Sequence, residues 1–234
     1  MHRSKLYRSQ AEKVDRLKKL DMGSALKLLK SLPPVKFDQT VELAFKLGID
    51  PKQSDQSVRG AIPLPKGTGK KVRIAVIASE GAADEARAAG ADYVGYEDLV
   101  NKIKEGWQEF DVLIATPAAM PLVRPLGRVL GPRGLMPNPK TGTVTDQVGA
   151  AVAEAKGGRV EFRADRGACV HVPVGKLSFA AEDLLANCEA VVHAIIRAKP
   201  ASAKGIYMQS CTLSATMTPG IKVDVREMSK VVQS

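Results

Sequence analysis

What most limits the fold of this chain is a change in how its apolar residues repeat. From Thr40 to Leu47 they come at every second position, with Val41, Leu43, Phe45 and Leu47 alternating with Thr40, Glu42, Ala44 and Lys46. Neighbouring side chains on a strand point to opposite faces, so the pattern predicts a strand with one buried and one wet face. Residues 71–78, Lys-Val-Arg-Ile-Ala-Val-Ile-Ala, are apolar almost throughout. A strand of that kind must be covered on both sides, as in a parallel sheet flanked by helices. Alternation returns after Gly158, in 160–164 and 168–172. Half-buried strands at both ends of the chain, with a doubly covered one between them, predict one domain interrupted by another.

The punctuation supports this division. Pro63, Pro65, Gly67 and Gly69 mark a boundary before the apolar strand. Beyond it the pattern predicts a helix over 82–89 stopped by Gly90, a strand over 92–95, a helix over 97–104 and a strand over 111–116. That β-α-β-α-β run describes a small doubly wound unit. A helix over 146–156, closed by Gly157-Gly158, ends the insert.

The outer segments read differently. Residues 3–19 are strongly basic and predict an extended arm leading into a short helix. Asp21 is placed to cap a helix over 22–30 with Met22, Ala25, Leu26 and Leu29 on one face, which Pro33-Pro34 stops. A second strand is expected near 57–64, and a hairpin across Asp165-Arg166-Gly167. A long helix over 179–198 would bury Leu184, Leu185, Cys188, Val191, Val192, Ile195 and Ile196, with Pro200 ending it. Strands near 205–216 and 221–225 complete the pattern. The fold class is therefore an α+β outer domain, an antiparallel sheet with helices, built from 1–67 plus 159–234. Into it is inserted an α/β, Rossmann-like three-layer domain, 68–158, on a two-segment link able to act as a hinge.

Residues 126–143, LGRVLGPRGLMPNPKTGT, hold four glycines and three prolines and predict a stiff loop without regular helix or strand. Arg128, Arg133 and Lys140 lie in it, Arg124 just before it, and no Asp or Glu occurs over 112–145. Such a basic stretch suits an anionic partner. Gly134-Leu-Met-Pro-Asn-Pro139-Lys140-Thr141 has phosphate-loop spacing, but Pro139 replaces the second glycine and removes a needed N–H. No G-x-G-x-x-G follows the first apolar strand either. His2, His171 and His193 are scattered, Cys169, Cys188 and Cys211 form no C-x-x-C pair, and no nucleophile, base and orienting group coincide. No enzyme, cofactor, metal or small-molecule substrate is expected; a nucleotide-binding enzyme built on the insert is the alternative.

Charge turns attention to the outer domain. The net charge of +10 suggests nucleic acid, while aromatics, at 4% of the chain, are too few for extensive base stacking. Basic against acidic residues number 14 to 7 in 1–67, 11 to 11 in 68–158 and 10 to 7 in 159–234. The whole excess belongs to the outer domain, so the primary RNA site is expected there, and the stretch with Arg124, Arg128, Arg133 and Lys140 becomes secondary. Lys36, Phe37 and Thr40 enter one strand. Ser210, Thr212, Ser214, Thr216 and Thr218 recur at every second position and could line one strand face with hydroxyls, groups able to read ribose 2′-OH. The amino terminus lacks a secretory core and no run is long enough for a membrane span, so a soluble, cytosolic protein is expected.

Val123-Arg-Pro-Leu-Gly-Arg-Val-Leu-Gly-Pro-Arg-Gly-Leu-Met-Pro137 resembles the signature of the family of the first large-subunit ribosomal protein of bacteria. So do Lys36-Phe-Asp-Gln-Thr-Val-Glu42, Leu47-Gly-Ile-Asp-Pro51, Ser54-Asp-Gln-Ser-Val-Arg-Gly60, Gly90-Ala-Asp-Tyr-Val94 and His171-Val-Pro-Val-Gly-Lys176. The resemblance implies a cytoplasmic, ribosomal protein of the large subunit that binds 23S rRNA in the mobile stalk. It further implies release of deacylated tRNA from the exit site and repression of its own operon mRNA. Positions matching Phe37, Ser210, Thr216 and Met217 belong to the family's RNA surface. The family commonly has glycine after the Thr-Met pair, where this chain has Thr218.

Overall fold

The computed structural model describes residues 3–226, apart from the side chains of Ser54, Glu80 and Lys140. His2 lies outside the described residues. Helix α1 (Lys5–Glu12) and α2 (Met22–Ser31) precede strands β1 (Thr40–Leu47), β2 (Arg59–Pro63) and β3 (Ile74–Ile77). Then come α3 (Glu80–Ala88), β4 (Tyr93–Gly95), α4 (Glu97–Lys104) and β5 (Val112–Ala115). Short helices α5 (Met120–Val123) and α6 (Gly127–Leu130) lead to α7 (Val148–Lys156). The chain finishes with β6 (Arg159–Arg163), β7 (Cys169–Lys176), α8 (Ala181–Arg197), β8 (Met208–Ala215) and β9 (Ile221–Val223). It divides into two compact units: Met1–Gly69 with Val160–Ser234, and Lys70–Arg159.

In the first unit β7, β1, β8 and β9 lie side by side in that order, every pair antiparallel. β1 is central and pairs along its length with both neighbours. Its inward residues Val41, Leu43, Phe45 and Leu47 are at most 1% exposed, as the alternation requires. They join Ala25, Leu26 and Leu29 of α2 with Leu184, Cys188, Val191 and Ile195 of α8 in one core. Burying each of the larger side chains contributes about 1.5–3 kcal/mol. Leu185 and Ile196, expected inside, are only partly buried at the edge of this core. Burial pushes the Cys188 and Cys211 thiols up, the latter to about 12, so both act as apolar filler.

Local chemistry explains the helix ends. The Asp21 carboxylate accepts the Ser24 N–H at 2.8 Å, which caps α2; the Ser24 side chain foremost, and then that N–H, hold the carboxyl below its ordinary range. At the amino terminus the expected order is not found: the helix comes first and an irregular segment follows. Ser4 caps α1 by accepting the Tyr7 N–H, and Gln10 is buried, donating to the Pro33 carbonyl at 2.8 Å. The chain then runs irregularly, with bends at Arg16 and Leu17, until Leu20 bridges Val223 beside β9.

The expected hairpin is also corrected. Asp165 does hold a tight turn, its Oδ1 accepting from Cys169 N–H and Gly167 N–H at 2.8 Å each. Those bonds lower its pKa, the one from Cys169 foremost. Yet β6 joins β2 in a separate two-stranded sheet while β7 joins β1. The turn passes the chain from one sheet to another.

The second unit is built on the parallel sheet β4-β3-β5. All four residues of β3 are buried. Ala75 and Ile77 face α4, α5 and α6, whereas Ile74 and Val76 face α3 and α7, giving one apolar layer on each side. At the sheet edge Asp111 accepts from Lys70 Nζ at 2.7 Å and from Arg73, which holds its carboxyl down at about 2.

Within 126–143, expected as a loop, Gly127–Leu130 and Pro139–Thr141 are helical turns, and the first of them ends a run of short helices that begins ahead of that stretch, at Pro117. Pro117, Pro121 and Pro125 occupy first-turn positions of successive short helices, where a missing N–H is harmless. Ala119, Val123, Leu126 and Leu130 recur at helical spacing and are at most 1% exposed. Composition suggested a loop, and this periodicity overrides it.

Candidate nucleic-acid interface

Helices α2 and α8 pack on one face of the four-stranded sheet. Residues whose side chains alternate with the core therefore form its other face, and strand register says which of them are neighbours. Lys46 lies opposite Ser210. Ala44 stands between His171 and Thr212, with Lys222 beyond Thr212. Glu42 stands between Pro173 and Ser214, and Thr40 is opposite Lys176. This face is polar, mixed in charge and rich in hydroxyls.

The hydroxyl row is less regular than strict alternation implies. Thr212 and Ser214 are half-exposed between the buried Cys211, Leu213 and Ala215. Near the start of β8 the register shifts between Lys46 and Leu47, a bulge that leaves both Gln209 and Ser210 exposed. Thr216, Met217 and Thr218 lie past the strand, in the turn that follows it. There the Thr218 hydroxyl accepts the Ala215 N–H at 2.8 Å, and the Thr218 N–H returns to the Ala215 carbonyl. Thr218 does not adopt a positive φ, so the backbone has no need of the family's glycine.

Thr216 also works within the protein. Its Oγ1 accepts the Thr40 N–H at 3.2 Å and lies 3.5 Å from the Thr40 carbonyl, tying the turn to the first residue of β1. The Thr40 hydroxyl in turn accepts from Lys176 Nζ at 3.0 Å. Gln39, a residue the sequence did not single out, is 1% exposed and accepts the Met217 N–H at 2.9 Å. With its amide holding that turn, Met217 is 51% exposed and Phe37, two residues before Gln39, is 53% exposed. Lys36 is exposed beside Phe37. Because Thr216 both holds the turn and faces solvent, Thr216→Val is expected to lower stability by about 1 kcal/mol and to weaken RNA binding, with Thr216→Ser restoring both. Chemical denaturation and a binding titration on the same variants check this; full RNA affinity in Thr216→Val would remove the hydroxyl from the site.

The second unit carries the other candidate group. Arg124, Arg128 and Arg133 are all exposed, and none has a side-chain hydrogen bond or ion pair among the described residues. Arg124 and Arg128 emerge from the helical turns whose other side is packed into the core. The Lys140 side chain lies outside the described residues. Thr141, the hydroxyl that a phosphate loop would present, is fully buried and bonds the Asn138 carbonyl at 3.1 Å. No group of three or more His, Cys, Asp or Glu placed to hold a metal occurs among the described residues.

Residues 28–219 match the family model described as the ribosomal protein L1p/L10e family.

Proposed function

The chain belongs to the ribosomal protein L1p/L10e family, and from that premise we propose that the open face of its four-stranded sheet is the surface that grips 23S rRNA. Membership makes it a structural, rRNA-binding component of the large subunit in the cytoplasmic ribosome. The finer reading is that the outer unit, 1–67 plus 159–234, is the RNA-binding domain and carries the mobile stalk. The insert, 68–158, swings with that stalk, and its arginines give a weaker contact to deacylated tRNA leaving the exit site. A structurally similar segment of the operon mRNA competes for the same sheet face and so represses translation.

One observation carries this reading. Phe37 and Met217, two large apolar side chains, are half-exposed beside a row of hydroxyls, on a unit holding the full excess of positive charge. Water is a poor partner for such side chains, whereas unstacked bases are a good one. Alanine at Phe37 or Met217 removes no core contact. Phe37→Ala should weaken binding to a 23S rRNA segment by about 1–3 kcal/mol, the scale of one base stacked on an aromatic side chain, and Met217→Ala should weaken it less. Thermal unfolding should be unchanged. Unaltered affinity in both variants would move the RNA to another surface. Translation of the operon leader in an extract, with and without added protein, tests repression separately.

A further inference from the structure

The hydroxyl row runs from the Thr216 turn to the opposite end of β1, and there the sheet face opens into a groove of about 500 Å³. That size lies within the roughly 300–1,000 Å³ of ordinary small-ligand sites. Lys46, Gly48, Asp50, Lys204, Ile206 and Gln209 line it. All of these come from the first unit.

The backbone makes this groove. Gly48 donates its N–H to the Tyr207 carbonyl at 2.6 Å, drawing the end of β1 against the segment before β8. A Cβ on Gly48 would collide with the Ile206 carbonyl, so only glycine allows this approach. Tyr207 turns inward at 7% exposure while Ile206 is left 78% exposed. The bulge at the start of β8 turns Gln209 outward together with Ser210. Its amide can both donate and accept.

Charge favours an anion. Lys204 has no hydrogen bond or ion pair among the described residues, and Lys46 donates to the Gly167 carbonyl, which leaves its charge uncompensated. Against these two cations stands Asp50, whose carboxylate is turned back to accept the Lys52 N–H at 3.0 Å. An exposed aliphatic side chain, an adaptable amide and an unpaired ammonium are what one nucleotide needs for its base, its polar edge and its phosphate.

We propose that this groove holds an unpaired nucleotide of the same RNA that lies on the sheet. Its base would rest on Ile206 beside the Gln209 amide, with its phosphate on Lys204. The inference depends on reading the sheet face as the RNA surface. It extends that surface along the seven residues from Thr40 to Lys46, about 20 Å of strand. The protein thus holds its RNA at both ends of the sheet, at Phe37 and Met217 and again at Ile206.

The test uses the full chain and a 23S rRNA transcript. Ile206→Ser and Gln209→Ala should each weaken binding by about five- to tenfold. Lys204→Gln should flatten the slope of log affinity against log salt by about 0.7–0.9, one phosphate contact fewer. A photoreactive side chain at position 206 should crosslink to a nucleotide different from the one reached from position 217. If the groove variants match the wild type in affinity and slope while Phe37→Ala binds weakly, the groove is empty and the sheet reading stands. If Phe37→Ala and Met217→Ala also bind normally, and neither position crosslinks, both the groove and the sheet reading fall.

Discussion

Raising monovalent salt from about 50 to 200 mM should weaken rRNA binding by the full chain roughly 10²- to 10⁴-fold. That range follows from releasing counterions at about four to eight phosphates, each adding about 0.7–0.9 to the slope of log affinity against log salt. The structure offers cations for this. Lys36 and Lys204 are exposed near opposite ends of the sheet, Lys222 is exposed beside Thr212, Lys46 lies on β1 and Lys176 opposite its first residue. Opposing them on the same face is Glu42, whose Oε1 lies 2.7 Å from His171 Nδ1. That single carboxylate is outnumbered by the lysines, so the face stays attractive to RNA. A titration series at fixed pH measures the slope. A response flatter than one phosphate equivalent would leave electrostatics a minor term and shift the affinity to Phe37, Met217 and the hydroxyls.

Much of this architecture could be read from residue order, because burial imposes its period on strands and helices. The alternation in β1 marks both its ends and its inward residues, and the doubly covered β3 stands out because neither of its faces can be polar. Other features depend on partners far away in sequence. Asp165-Arg166-Gly167 has the chemistry of a hairpin turn, but whether its flanking strands pair with each other is decided by β1 and β2, more than a hundred residues earlier. The short helices before Leu130 were hidden by their prolines and glycines; spacing Ala119, Val123, Leu126 and Leu130 at helical intervals would have found them. In the candidate site, Thr212 and Ser214 follow from alternation. The bulge at Gln209, the Thr216 bond to Thr40 and the buried Gln39 amide do not, since each depends on which backbone lies opposite.

A chain joining residues 1–67 to 159–234 through a short flexible linker is expected to fold and to keep rRNA affinity within about tenfold of the full protein, while the isolated insert binds at least about a hundredfold more weakly. The expectation rests first on independence of cores. The first unit buries β1, α2, α8 and the inward side of β7 and β8 in one cluster that takes nothing from residues 68–158. Its last residues before the insert are also fixed from within. Asn187 on α8 is fully buried, donating to the Gly67 and Val174 carbonyls at 3.0 and 2.7 Å and accepting the Lys66 N–H at 3.0 Å. Lys66 adds an ion pair with Asp183 at 3.1 Å. Removing the insert therefore leaves that exit point held by bonds the first unit makes alone. The second reason is charge. The joined chain keeps the whole net +10 together with Phe37, Met217, Ile206 and every hydroxyl on the sheet, whereas the insert has 11 basic and 11 acidic residues. Its Arg124, Arg128 and Arg133 are locally unopposed, but they sit on a unit with no long-range attraction for a polyanion. Both fragments should be titrated against the same rRNA segment at one salt concentration, with circular dichroism confirming that each is folded. Tight binding by the insert together with weak binding by a folded outer chain would reverse the assignment and make those three arginines the primary RNA contact.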